Sequence, residues 1–370
     1  MRSYGHLFEQ FLSDENYYLA VRNATKRKGG KRRKCRISMR YRENADIYKD
    51  RLLRYAENFK GKTHHAIEIY DGIRRKRRSI VVPSMDEQIV HHMLINVMKP
   101  TMMHGMYEHS YGSIPERGPH LAKRRIERWI RHGGRSCKYV LKMDIRKFFD
   151  SVPHDRMKES LGRVVRDRRL MRVIEEVIDS APSDRGLPIG FYTSQWFANF
   201  YLTGLDHFIK ESLGAKYYVR YMDDMVIFGP NKRRLHAVRR EVGLYLNEVL
   251  GLEMKHDWQV FLFDYPTDGG RKGRSLDFMG FRFWRDHVTL RRSLMLRMTR
   301  KAKRLAKKVR DGGRKTVHDA RQMLSYLGWI DATDTYEMFR RRVKPYANFR
   351  CMRRQVGRYQ RRLNLQAALG

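Results

Sequence analysis

The segment KYYVRYMDDMVIFG (216–229) constrains the fold most, because it sets two adjacent aspartates between runs rich in aromatic and β-branched residues. Such runs favour strands and a polar pair between them favours a tight turn, which predicts strands over Tyr217–Tyr221 and Met225–Gly229 joined as a hairpin. Two like charges side by side are costly unless water or a cation separates them. A solvated hairpin tip meets that requirement, and so does a hairpin that lifts Asp223 and Asp224 onto divalent ions.

A second segment, VLKMDIRKFFDSV (140–152), ends an apolar strand in Asp144 and runs into the start of a helix. Alone, an aspartate there reads as a helix cap or surface charge. If the two strands are neighbours, Asp144 and Asp223 can chelate the same ions. Two metals roughly 3.5–4 Å apart can stabilise both the attacking and the leaving oxygen of an in-line phosphoryl displacement. Hard oxygen ligands favour two Mg2+ ions, with Mn2+ as a substitute.

The charge balance points to the same class of partner. Lys and Arg total 79 against 40 Asp and Glu, a formal net charge of +39, and the usual counterpart of such a surface is a phosphate backbone. No stretch reaches the roughly 18 apolar residues of a membrane span. Cys35, Cys137 and Cys351 are far apart and lack a CxxC spacing, which argues against a disulfide framework or zinc site and fits a cytoplasmic protein.

The first sixty residues read as two helices split by KRKGGKRRK (26–34), a basic loop broken by Gly29 and Gly30. Residues 63–83 alternate like strands, with Asp71-Gly72 as a hairpin turn, and Ser84 with Glu87 forms a capping box for a helix to about Val97. A strand over Lys138–Ile145, a helix over 232–250 and strand-like pieces at Asp257–Phe263 and Leu276–Trp284 complete an α+β domain with an antiparallel sheet. Beyond Leu290 the pattern is helical and basic, with breaks at Gly312-Gly313 and near Asp331.

These pieces together resemble the reverse transcriptases. YMDD (221–224) matches their hallmark hairpin and DIRKFFDSV (144–152) their first metal-binding motif. RRKRRSIVVPSMDEQIVHHML (74–94), HSYGSIPERG (109–118), GLPIGFYTSQWFANFYL (186–202), LGLEMKHDW (250–258) and LDFMGFRF (276–283) follow in the family's order, and SYLGWIDATDTYEMF (325–339) resembles the thumb of bacterial members. The resemblance implies a right-hand polymerase: a basic helical extension over 1–60, fingers over 61–140, a catalytic palm over 141–290 and a helical basic thumb over 291–370.

It also implies roles for particular residues. Asp144, Asp223 and Asp224 are the catalytic, metal-binding carboxylates, with Asp224 the weaker ligand or a structural neighbour. Lys76 or Arg77, with Arg78, holds the triphosphate, unless these are a solvated basic strand end. Ile145, Phe149, Gly190 and Gln195 complete the nucleotide site. Phe149 serves as a steric gate against a ribose 2′-hydroxyl or packs in the core beside Phe148, and Gly190 allows close backbone approach to the nucleotide. Tyr221 and Met222 lie against the primer end or pack in the hairpin core, Ile189 and Arg117 lie along primer and template, and Lys31, Arg32, Arg33 and Lys34 of the basic run bind nucleic acid. Implied partners are a structured template RNA, a cDNA or primer strand, dNTPs and a small basic accessory protein, in a bacterium or its phage.

Two departures refine the resemblance. Where most bacterial relatives carry a glutamine before the glycine and a proline after the serine, this chain has Ile189, Gly190, Ser194 and Gln195. IGxxxSQ is similar to the error-prone enzymes of diversity-generating retroelements. The alternatives are a phage-defence or retron-like enzyme copying its own non-coding RNA, and a non-catalytic RNA-binding module. Ile114 stands where many relatives have an arginine, so one phosphate or template contact is either missing or supplied from elsewhere, as by Arg117.

Overall fold

The computed structural model describes residues 5–26, 33–62, 64, 66–71 and 76–368. Where two N-terminal helices were expected, the described residues form α1 (Leu7–Phe11), α2 (Asp14–Thr25), α3 (Arg33–Glu43) and α4 (Ala45–Glu57). Ser13 divides the first stretch, because its hydroxyl accepts the amide of Asn16 and caps α2. The basic run is not loop throughout: Lys31 and Arg32 lie outside the described residues, but Arg33 and Lys34 already belong to α3. The glycines that break periodicity end at position 30, and the residues after them are good helix formers.

Strands β1 (Ala66–Asp71) and β2 (Lys76–Val81) pair antiparallel, with Ile67 opposite Ile80 and Asp71 opposite Lys76. Gly72 of the expected turn lies outside the described residues. Helix α5 (Met85–His104) begins at the predicted capping box, where the Ser84 hydroxyl accepts the amide of Glu87 and the Glu87 carboxylate accepts that of Ser84. It runs beyond Val97 and through Pro100, because its buried face continues through Met98, Thr101 and Met102.

The middle of the chain comprises α6 (Pro119–His132), β3 (Tyr139–Met143), α7 (Phe148–Ser151), α8 (His154–Gly162), α9 (Arg168–Asp179), α10 (Tyr192–Tyr201) and α11 (Thr203–His207). The predicted hairpin follows as β4 (Tyr217–Tyr221) and β5 (Asp224–Gly229), then α12 (Lys232–Leu244) and β6 (Gln259–Leu262). The helix expected to reach residue 250 changes after Leu244 to a wider turn over Tyr245–Val249.

Strands β7 (Tyr265–Thr267), β8 (Gly270–Lys272), β9 (Leu276–Phe278), β10 (Phe281–Phe283) and β11 (Val288–Leu290) come next. The single strand expected over 276–284 is a hairpin instead, since Met279 adopts φ 52° and reverses the chain between β9 and β10. Helices α13 (Arg292–Arg310), α14 (Val317–Leu324), α15 (Leu327–Asp331), α16 (Tyr336–Arg342) and α17 (Phe349–Ala368) end the chain, with the predicted break after Arg310.

These elements make a mixed α+β protein of two compact units, Met1–Ala122 with Leu141–Val260 and Lys123–Val140 with Phe261–Gly370. The first holds most of the sheet ordered β4-β5-β3-β6, where Val219, Val226 and Met143 are buried, and Leu94 and Phe197 are buried in the same unit. In the second, Phe278, Phe281, Phe283 and Leu290 bury the sheet β11-β10-β9. Burial of such a side chain is worth roughly 1.5–3 kcal/mol, so both units carry a substantial core. Among the described residues, no helix is long and apolar enough to cross a membrane, and Cys137 and Cys351 are unpaired thiols.

Candidate active site

The acidic hairpin closes in two residues. Tyr221 pairs with Asp224, leaving Met222 and Asp223 as the turn. Met222 takes φ 55°, a left-handed conformation that hairpin turns demand and that usually falls to glycine. Tight closure lifts Asp223 to the end of the sheet, and β3, the neighbour of β5, delivers Asp144 one residue beyond its last strand position.

The two carboxyls come within hydrogen-bonding reach of each other. Burial, then the charge of Asp144, and to a lesser degree that of Asp224, push Asp223 up to about 7. Crowded carboxylates of this kind suit a cation. The backbone behind Asp144 is pinned, since its carbonyl accepts the amide of Lys255 at 2.8 Å and the amide of Arg146 donates to Glu253 O at 2.8 Å.

Two lysines that the sequence reading gave no role stand beside these acids. Lys255 Nζ lies 3.3 Å from Asp144 and 2.7 Å from Asp257. Lys142 Nζ lies 4.0 Å from Asp224. Lys142 was detectable in principle, since it precedes Asp144 by two positions at the end of the same strand and alternation puts such residues on one face. Asp144 and Asp224 therefore each face a lysine of the protein, and Asp144 also stands beside Asp223. Among the described residues, no group of three or more His, Cys, Asp or Glu side chains is placed to hold an ion by itself. The donor set Asp144 and Asp223 still fits Mg2+ in chemistry, because that ion commonly takes one or two carboxylates and fills its other positions with water and substrate phosphate.

The other predicted residues fall into three groups. Phe148 is buried and Phe149 only half-buried, so the core position belongs to Phe148 and the ring of Phe149 is left partly open. Ile145 is buried, with its backbone bridged to Met254. Gln195 is exposed on α10, and Tyr221 is half-buried.

Gly190 and Ile189 meet protein backbone. The Val81 amide donates to Ile189 O at 2.7 Å, and a Cβ on Gly190, at φ 121°, would run into the Val81 carbonyl oxygen. The close approach that this glycine permits is thus that of β2. Arg78 pairs with Ile69 and Lys76 with Asp71 through their backbones on the same hairpin. Arg117 donates through Nη1 to Tyr107 O at 2.6 Å and Ser110 O at 3.2 Å, which commits that arm to holding its own loop, and Ile114 is buried.

Comparison with known proteins gives the following. A family model described as reverse transcriptase (RNA-dependent DNA polymerase) matches residues 60–283. Protein YkfC of Escherichia coli K12 is 24% identical over 223 residues, 49% of this chain and 58% of that protein. The retron Ec73 reverse transcriptase of Escherichia coli is 25% identical over 236 residues, 59% of this chain and 68% of that one. The chain thus spans little more than half the length of YkfC. Among solved structures, an apo telomerase from Candida tropicalis aligns at a TM-score of 0.45 and 15% identity, over 69% of this chain and 60% of that one.

Proposed function

The chain belongs to the reverse transcriptase family, and from that premise we propose that it copies an RNA template into cDNA, adding deoxynucleotides to a primer 3′-hydroxyl with release of pyrophosphate. The observation that carries this reading is the apposition of Asp144 and Asp223 at the ends of neighbouring strands. Two Mg2+ ions bound there would favour attack by the hydroxyl and steady the leaving phosphate oxygens. The chain's own residues do the rest. Asp144 and Asp223 supply the carboxylate oxygens, and Asp224, beside Lys142, supports the hairpin. Lys76 and Arg78 at the β1–β2 hairpin hold the triphosphate, as cationic side chains suit phosphate oxygens. The half-open ring of Phe149 fills the space that a 2′-hydroxyl would need. Tyr221, Met222 and Gln195 line primer and nucleotide, and residues 31–34 contribute charge toward template RNA. In this reading 61–140 are the fingers, 141–290 the palm and 291–370 the thumb.

Within the family we favour the error-prone enzyme of a diversity-generating retroelement, with a small basic accessory protein as partner. The support is the IGxxxSQ segment, whose Ile189 is apolar where a glutamine could hydrogen-bond the nascent pair. The similarity to the retron Ec73 enzyme favours a second reading, a retron-like enzyme copying its own non-coding RNA. Primer extension on RNA with all four dNTPs, followed by sequencing of the product, separates them. Errors concentrated opposite template adenines support the first, and an even spectrum supports the second.

A further inference from the structure

Arg220 is 0% exposed, and so is its partner Asp206. The guanidinium grips that carboxylate in a fork, Nε to Oδ1 at 2.8 Å and Nη2 to Oδ2 at 2.6 Å, and Tyr218 donates its hydroxyl to the same Oδ1 at 2.7 Å. Burying such a pair is a poor way to gain stability, because desolvation can exceed the attraction and apolar residues of similar volume often do as well or better. The rest of the guanidinium shows what else it does. Nη1 donates to the carbonyl of Met222 at 3.0 Å and to Asn199 Oδ1 at 3.1 Å.

Asn199 extends the contact. Its amide donates to Gly112 O at 2.8 Å and reaches Met222 Sδ at 3.5 Å. Gly112 itself is pressed on the turn: a Cβ there would stand 2.6 Å from Met222 N and 2.5 Å from its Cγ. The loop bearing Gly112 is fixed to β4 on both sides of Arg220, whose amide donates to His109 O at 3.1 Å while its carbonyl accepts the Tyr111 amide at 3.0 Å. The contacts of Arg220 Nη1, Asn199 and Gly112 converge on Met222, the residue held at φ 55°, and Asp223 is the next in the chain. A non-glycine residue persists in that region only where its surroundings over-determine it.

We propose that Arg220, anchored by Asp206 and joined by Asn199 and Gly112, is a positioning brace that locks the Met222 turn and thereby fixes where the Asp223 carboxylate stands. The proposal rests on the reading of Asp223 as a metal ligand, and the test keeps the two separable. Arg220→Met, Asp206→Leu and Tyr218→Phe are combined in the full chain, so that the buried polar cluster is removed as a unit and no charge is stranded. Thermal unfolding, hydrogen exchange at the 222–224 amides, Mn2+ binding by calorimetry, and kcat with KM for the primer–template are then compared with wild type.

The expected result is a folded protein of similar melting temperature with faster exchange at the turn. Its Mn2+ affinity and kcat fall by at least about tenfold, the scale on which groups that orient metal ligands act. KM for the primer–template is unchanged. A folded variant with wild-type exchange at the turn, wild-type Mn2+ affinity and wild-type kcat overturns the brace. If the triple variant does not fold, Arg220→Lys replaces it, since an ammonium keeps the charge opposite Asp206 but lacks the planar fork that holds Asp206 and Met222 O together, and the same readouts decide. If wild type binds no Mn2+, the metal reading of Asp223 fails, and exchange at the turn still decides the brace.

Discussion

Asp144 and Asp223 meet at the ends of two neighbouring strands, close enough to hydrogen-bond, and burial together with the neighbouring charge lifts Asp223 to about 7. Such a pair stores repulsion when both carboxyls are ionised, which a bound cation or a proton on Asp223 relieves. In metal-free buffer at pH 8, Asp223→Asn is therefore expected to raise stability to urea by on the order of 1 kcal/mol, since an isosteric amide removes one charge. A clear loss of stability would show that the two carboxyls support each other in some other way.

Gly190→Ala tests the junction of β2 with the IGxxxSQ segment. The new methyl would meet the Val81 carbonyl oxygen while the backbone is held at φ 121°. A loss of roughly 1–3 kcal/mol from backbone strain is expected, together with weakened binding of dNTP as the strand moves off. Unaltered melting and KM would mean that the junction yields without consequence.

Arg220→Ala alone leaves the Asp206 carboxylate buried without its ion-pair partner. Truncating one member of a buried pair costs about 3–5 kcal/mol, so the single variant is expected to melt far below wild type and below the triple apolar variant. Equal melting of the single and triple variants would contradict the assignment of that cost to a stranded charge.

His91 makes the fold sensitive to acid. Its ring is 1% exposed, packs 4.7 Å from that of Phe191, and has an Nδ1 with no hydrogen-bond partner. Burial first, then His92 and His64, hold its pKa down at about 3, below the roughly 6.5 of an unfolded histidine. Above pH 6.5 the ring is neutral in both states and adds no pH dependence. Between 6.5 and 3 only the unfolded chain takes the proton, so stability falls as pH falls, by up to about 1.4 kcal/mol per unit. His91→Leu should flatten the change in urea midpoint between pH 7 and pH 5, and an unchanged slope would assign the acid sensitivity to other groups.

Much of the site was legible in the sequence, for reasons particular to each residue. The β4–β5 hairpin declares itself through β-branched and aromatic residues on either side of an acidic pair, and α5 through a capping box that depends only on Ser84 and Glu87. Arg220 did not declare itself. A strand arginine in a chain of net charge +39 reads as one more phosphate contact, and its partner lies 14 residues earlier on α11, out of reach of any local pattern. Gly190 was singled out for close approach to a nucleotide, whereas the neighbour it meets in the fold is the Val81 oxygen, which lies in a distant segment. The break between β9 and β10 was missed because, of its two turn residues, Met279 carries no turn preference and a lone glycine such as Gly280 inside a strand pattern reads equally as a bulge.

The central claim is that Asp144 and Asp223 together hold the catalytic ions. It is tested most directly by single-nucleotide primer extension on an RNA template with Mg2+, comparing wild type with Asp144→Asn and Asp223→Asn at equal folded concentration and verified template binding. The account predicts dNTP addition by wild type that disappears on chelation, and a loss of at least about 100-fold in each variant, as expected of groups that stabilise transition-state charge. Extension by either variant at near the wild-type rate, or none by a wild-type protein bound to its primer–template, would contradict it.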